Sequence, residues 1–461
     1  MKRLVLFTVF CLTPLLPVVF AGSPVTQDKG WKAGVSRVII TPEESIWMAG
    51  YAARNHPSEG ILHDLWAKAL ALEDTDGKRA VLITSDLIGF RGSYLPDRIR
   101  EKLKSKYNLS ESEVILSYSH THSGPELMYS PQEYLGRRDT TGPYSPAQRE
   151  KIINYSGKLE DKIVKIAGEA LNSIEPVKLY SGQGVSRFAV NRRVNGARTT
   201  VNELTMELDG PVDHSVPVIK VEKSSGQLLA VVFGYACHNT TLSIYQISGD
   251  YAGFAQIEME RNYPGTTAMF FAGCGADQNP LPRRTISYAR QYGKTLSASV
   301  EAVISEPMKE LSPRLATAYT EIELGFSDPL PTGDVLLQAI QKSKVYPGSA
   351  ENLLYRLNQG EMLRSSYPYP LQFWKLGDQN LFVLASEVVI DYSLKLKQIF
   401  GNDIFVMAYA NEGMGYIPSL RVLSEGGYES ERSPNFTGTW APDIEMKIIL
   451  GIIKLVEHTI K

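Results

Sequence analysis

Residues 79–120, RAVLITSDLIGFRGSYLPDRIREKLKSKYNLSESEVILSYSH, carry the pattern on which the fold turns. Residues 79–86 and 113–120 are short, apolar runs rich in β-branched or aromatic residues, as buried strands are. The stretch between them, 96–108, is amphipathic. The alternation recurs: LLAVVFGYACH (228–238), TTAMFFAGCG (266–275), NLFVLASE (380–387) and DIFVMAYAN (403–411) read as strands. Residues 148–174, 289–306 and 391–401 read as helices. Strands separated by helix-length segments argue for an α/β fold with a largely parallel or mixed sheet. A soft boundary near residues 305–315 is too weak to divide the chain, which therefore reads as one large domain.

Each strand ends in a polar or ionisable group: Asp86, His120, His238, Cys274 with its glycine-rich tail, Glu387 and Asn411. In open α/β sheets ligands sit at the carboxyl ends of strands, so these side chains are expected to converge on one face. Residues 130–146 and 427–442, rich in Pro and Gly, read as long surface loops of the kind that wall a site.

The 461 residues are 43% hydrophobic and 21% charged, the composition of a folded globular protein. Lys plus Arg total 48 against 50 for Asp plus Glu, so the chain lacks the basic excess that a phosphate backbone demands, and nucleic acid is not an expected partner. The first residues, MKRLVLFTVFCLTPLLPVVFAGSP, place Lys2 and Arg3 before an apolar run that ends in Val19-Phe20-Ala21. Small residues at the −3 and −1 positions fit signal-peptide cleavage, so residues 1–21 are expected to be an export signal and the mature chain periplasmic or extracellular. A retained anchor is the rival reading, opposed by Pro14 and Pro17. Removing the leader removes Cys11 and leaves Cys237 and Cys274, too few for a disulfide framework; buried thiols and a single pair both remain open.

His120 and His122, two residues apart on an extended backbone, point to the same side. Neutral imidazole is a common zinc ligand, while hydrogen-bonded loop histidines are the plainer reading. His238 follows a strongly apolar strand. Glu387 ends another, and a carboxylate buried there needs a metal or an arginine beside it. FFAGCGADQNP (270–280) is a strand entering a glycine-rich turn. Its backbone amides could meet an oxyanion or a polar head group, or it is simply a tight turn. No Gly-Lys-Ser/Thr follows and no Gly-x-Ser-x-Gly elbow occurs at this strand end, which sets aside a phosphate loop and a serine-hydrolase nucleophile.

With HTHSGP (120–125), YACHNTT (235–241), LASEVV (384–389) and GMGYIPS (413–419) in hand, the chain resembles the neutral (non-lysosomal) ceramidase family over nearly the whole mature sequence. The resemblance implies a zinc-dependent amidase, one Zn²⁺ per chain, that cleaves the N-acyl bond of ceramide. It implies His120, His238, Glu387 and Tyr416 as metal ligands and His122 as the proton acceptor and donor. Arg192 and Tyr428 would contact the amide or its oxyanion, with Arg193 as a register alternative to Arg192. Gly275 and Gln278 would meet the substrate. A zinc ion held by such ligands lowers the pKa of its water to about 7 and polarises a carbonyl, so the assignment is chemically coherent.

Two departures qualify it. Where the family carries a serine in its Gly-Asp-x-Ser-Pro-Asn turn, this chain has Gln278, which cannot be a nucleophile. The immunoglobulin-like domain usual in the family is not expected after residue 461, which puts membrane docking in doubt, although peripheral membrane contact is left open. Rival readings keep the zinc site for another N-acyl or ester substrate, such as an N-acetylated sugar, or retain ligand binding without turnover.

Overall fold

The computed structural model describes residues 30–51, 53–90, 93–129, 144–195, 208–342, 348–413, 415–431 and 437–460. The expected export leader, 1–21, lies outside the described residues, as do most of the loop 130–146 and part of the loop 427–442.

One mixed sheet organises the chain. In spatial order its strands are Thr267–Ala272, Leu228–Tyr235, Ser215–Lys223, Glu175–Val185, Trp31–Ile39, Trp66–Glu73, Arg79–Ser85, Val114–Tyr118, Phe405–Ala410, Gln379–Ala385, Ser366–Leu376 and Leu315–Gly325. A short strand, Lys309–Glu310, pairs with Glu175–Val185 off this path. Arg79–Ser85 runs parallel to Val114–Tyr118, with Val81 opposite Val114. Leu228–Tyr235 and Gln379–Ala385 are likewise parallel to Thr267–Ala272 and Phe405–Ala410. The other joints are antiparallel, so the sheet is mixed and flanked by helices.

Side-chain alternation sorts the strand residues onto two faces. Leu70, Leu82, Ile115, Val232, Met269, Phe271, Trp374 and Met407 belong to a core cluster that contains no residue of the helices. Ala69, Val81, Leu116, Phe233 and Phe270 belong to another, shared with Leu159, Ile163 and Ala167 of the helix Pro146–Asn172 and with Ala255 and Met259 of the helix Asp250–Asn262. The first cluster is filled because the sheet folds back on itself, bringing Thr267–Ala272 against Val114–Tyr118 and Phe405–Ala410. The helices cover the outside.

All six strand runs expected from sequence are present, and the amphipathic stretches form the helices Tyr94–Tyr107, Pro146–Asn172, Ile286–Ile304 and Ile390–Phe400. Helix Pro146–Asn172 begins with a capping box: Ser145 Oγ accepts from Gln148 N and Gln148 Oε1 accepts from Ser145 N. Among the described residues no helix is long and apolar enough to cross a membrane.

The two halves of the sheet meet at a thin seam. Val114–Tyr118 pairs with Phe405–Ala410 through one register pair, Ser117 opposite Ala410. Asn411 extends that seam with its side chain. Its backbone N–H donates to Leu116 O at 2.6 Å, its Oδ1 accepts from Leu116 N and from Arg100 Nη2, and its Nδ2 donates to Gln372 Oε1 at 2.8 Å.

Candidate active site

His120 leaves the strand Val114–Tyr118 in the left-handed region, with φ of 60°. Ser386, Tyr409 and Asn411, at or near the ends of the neighbouring strands, share that conformation with φ of 65°, 51° and 64°. For residues with a Cβ this costs about 1 kcal/mol or more each, and such strain gathers at functional sites.

Backbone carbonyls fix two imidazoles. His120 Nδ1 lies 2.7 Å from Ile88 O, and His238 Nδ1 lies 2.7 Å from Gly275 O. A carbonyl only accepts, so both Nδ1 atoms carry a proton, which makes Nε2 the lone-pair position of each ring in its neutral form. Each of those Nε2 atoms stands 3.3 Å from Glu387 Oε2. These are ion-pair distances, yet Glu387 Oε2 and His238 Nε2 are buried without a hydrogen-bond partner. Two imidazole lone pairs and a carboxylate oxygen facing one another are unfavourable unless a cation is shared among them, so this donor set fits a divalent metal.

His122 Nε2 lies 3.2 Å from His120 Nε2, and nitrogens of His120, His122 and His238 fall within 4.8 Å of one another. Distance alone would group the three imidazoles. Anchoring separates them, because His122 Nδ1 is buried with no partner to fix its ring. We therefore take His120, His238 and Glu387 as the oriented donors, with His122 beside them.

The electrostatics suit ligation. Burial raises the Glu387 carboxyl, but interaction with His120 and His238 outweighs it and holds the group well below the usual carboxylate range. Burial, reinforced by His120 and His238, drives His122 well below the ordinary histidine value. Burial and the Arg192 charge push His238 down to about 4. The anionic carboxylate of Glu387 and the unprotonated imidazole of His238 are the states that metal ligands need.

A two-residue parallel pairing sets Tyr416 opposite Glu387. The Tyr416 hydroxyl accepts from Arg192 Nη2 at 3.2 Å, and burial together with the Glu387 charge raises the phenol well above its ordinary value. Arg192 Nε donates to Glu429 Oε1 at 2.7 Å, and Arg193 Nη1 donates to Glu429 Oε2 at 2.6 Å. Arg193 also donates to Glu425 Oε2 and to Gly426 O, so of the two register alternatives it is Arg192 that reaches Tyr416. Tyr428 is 65% exposed, with its ring 5.7 Å from the Arg192 guanidinium and 5.2 Å from the Tyr416 ring.

Some expectations change. The Gln278 side chain, read from sequence as meeting the substrate, is wholly buried and donates from Nε2 to Pro211 O. Gln278 acts on the site through its carbonyl, which accepts from His238 N. Gly275 likewise contributes a carbonyl, to His238 Nδ1, and a Cβ there would lie 2.7 Å from Cys237 N. Asp86 and Asn411 do not join the cluster: Asp86 accepts from Trp66 N and Gln256 Nε2, and Asn411 belongs to the seam. Cys237 and Cys274 are buried free thiols. Sequence reasoning missed Glu429, Tyr409 and Tyr51. The Tyr409 ring lies 4.6 Å from that of His120, and the Tyr51 ring stands 4.9 Å from that of His122. Nothing in one sequence sets these residues apart from ordinary core aromatics and surface acids.

A folded mixed sheet with a buried imidazole–carboxylate cluster at its strand ends defines an α/β protein whose site could hold a metal ion. The family model described as neutral/alkaline non-lysosomal ceramidase, N-terminal, matches residues 31–315, more than half of the chain, and the chain belongs to that family. The neutral ceramidase of Pseudomonas aeruginosa is 27% identical over 248 residues, covering 51% of this chain and 34% of that protein. Neutral ceramidase A of Dictyostelium discoideum is 25% identical over 284 residues, covering 58% of this chain and 38% of its own. The matched stretch thus spans little more than a third of these relatives. The crystal structure of the P. aeruginosa neutral ceramidase shares the fold, with a TM-score of 0.71 at 18% identity over 93% of this chain and 74% of that one. Glu387, Tyr416 and Tyr428 lie beyond the family model's span.

Proposed function

We propose that the chain is a zinc-dependent amidohydrolase that cleaves the N-acyl bond of ceramide or a related N-acyl lipid. The observation that carries the proposal is the convergence of two carbonyl-anchored imidazoles on one oxygen of Glu387, each at 3.3 Å. Family membership supports the reaction class, and the relatives it matches are neutral ceramidases.

His120, His238 and Glu387, with Tyr416 alongside, would hold the zinc ion, which when bound supplies Lewis acidity toward water and the scissile carbonyl. The chain's own groups do the rest. His122, unanchored at Nδ1 and next to His120, accepts a proton from the attacking water and returns it to the leaving amine nitrogen. Arg192, clamped by Glu429, and Tyr428 beneath its guanidinium face the oxygen that becomes negative, a placement that stabilises charge as it develops. Residues 22–461 form one amidase domain in this reading, with 1–21 removed on export.

The test is purified protein loaded with zinc, assayed for bound metal and for acids released from N-acyl lipids and N-acetyl sugars. About one zinc per chain with long-chain acid released supports the proposal; metal-free protein after supplementation, or release of acetate alone, overturns it. Intact mass of the secreted protein tests cleavage after Ala21.

A further inference from the structure

Most arginines around the site have acidic partners. Arg192 and Arg193 share Glu429, and Arg421 pairs with Asp391 and Glu425. Arg283 and Arg284, three and four residues beyond the pairing strand Gln278–Pro280, do not. Among the described residues Arg283 forms no hydrogen bond or ion pair, and its half-buried side chain has a buried Nε without a partner. Arg284, held with φ of 86°, donates from Nη1 to Tyr51 OH at 3.0 Å and sets its guanidinium 5.2 Å from that ring. Tyr51 in turn stands edge-on to His122. Burial lowers the Arg283 guanidinium below its ordinary value, and the charge of the adjacent Arg284 adds to the shift.

Among the described residues no acid forms an ion pair with Arg283 or Arg284. Asp250, whose charge acts on Tyr51, is fully buried and accepts from the backbone amides of Leu242 and Tyr251. A partly desolvated guanidinium with no counterion, beside a second one on an accessible turn, is costly in isolation and favourable once an anion arrives. Arginine's planar fork suits oxygen anions in particular.

We propose that Arg283 and Arg284 form an anion pocket at the mouth of the site, selecting N-acyl substrates whose amine half carries a carboxylate, sulfonate or phosphate close to the amide. This rests on the amidohydrolase reading and narrows its substrate class, since ceramide itself is uncharged. It also places the specificity of the turn in the two arginines and not in the buried Gln278 side chain.

The test is a matched pair of substrates with one dodecanoyl chain, N-dodecanoyl-glycine and N-dodecanoyl-ethanolamine, with N-dodecanoyl-ethanolamine phosphate as a third to separate carboxylate from phosphate. The zinc-loaded protein is expected to favour at least one anionic member. In R283Q/R284Q the anionic-to-neutral ratio of kcat/KM should fall about 10- to 100-fold, the worth of hydrogen bonds to a charged group. R283K/R284K, keeping charge without the fork, should retain part of the preference and shows that the turn still folds. No preference in the unmodified protein, or an unchanged ratio in R283Q/R284Q, overturns the pocket. If no substrate is hydrolysed, the amidohydrolase reading is what fails. Equilibrium binding of hexyl phosphate then decides the pocket, at least 10-fold weaker binding by R283Q/R284Q supporting it and equal affinity overturning it.

Discussion

Replacing Asn411 with Ala should destabilise the protein far more than its polar character suggests. The side chain satisfies three buried groups at once: Arg100 Nη2, Leu116 N–H and Gln372 Oε1. Each orphaned group costs about 1–3 kcal/mol, and more when charged, as Arg100 is. Alanine must also hold the left-handed backbone at φ 64°, which Asn tolerates better, adding roughly 1 kcal/mol. The expected loss is therefore about 4–6 kcal/mol, at the upper end for a single substitution. Urea unfolding followed by tryptophan fluorescence reads it, with Asn411→Asp as the control. Aspartate keeps an oxygen for Arg100 and Leu116 and loses only the donor to Gln372, so its loss should be about 1–2 kcal/mol. Equal losses for Ala and Asp, or a loss for Ala below about 1 kcal/mol, would show that the seam does not depend on these bonds.

Other outcomes are expected of the site and its surroundings. His238→Ala should abolish metal binding and hydrolysis together, whereas His122→Ala should keep the metal and lower kcat by about 10²–10⁴; metal analysis beside kinetics separates them. Stripping the metal with a chelator should lower the thermal midpoint, by an amount equivalent to about 4 kcal/mol when free metal stood at a thousand times its Kd, as scanning calorimetry can check. Burial pushes the Glu412 carboxyl up to about 8, with Glu321 and Asp97 adding to the shift. A carboxyl whose folded pKa lies above its unfolded value of about 4.3 stabilises most below that lower value and loses the contribution as pH rises to about 8. Glu412→Gln should flatten this part of the stability–pH curve, and unchanged curves from pH 5 to 9 would refute the assignment.

The strands legible in the sequence were those buried on both faces, such as Leu228–Tyr235 and Phe405–Ala410, whose runs are continuously apolar. Trp31–Ile39, Glu175–Val185 and Leu315–Gly325 escaped notice because each leaves residues partly exposed and mixes charged or glycine positions among its apolar ones. The proposed donors His120, His238 and Glu387 were legible for a related reason: an ionisable residue after an apolar run is conspicuous. What could not be read was support. The Ile88 and Gly275 carbonyls that orient His120 and His238 belong to the backbone and leave no mark in residue identity. Glu429 looks like any surface acid until folding brings it to Arg192, and Gln278 read as a pocket residue because the bond to Pro211 O that draws its side chain inward leaves no mark in the sequence.

The seam between Ser117 and Ala410 also divides the proposed donor set by order of synthesis. The imidazoles of His120 and His238 leave the ribosome with the first half of the sheet, while Glu387 and Tyr416 arrive with the second. A nascent chain halted between them offers neutral ligands without the carboxylate, a weak and unselective lure for metal. On the proposed metal-site reading, the full donor set exists only once the late strands dock, so tight ion binding requires both halves of the sheet.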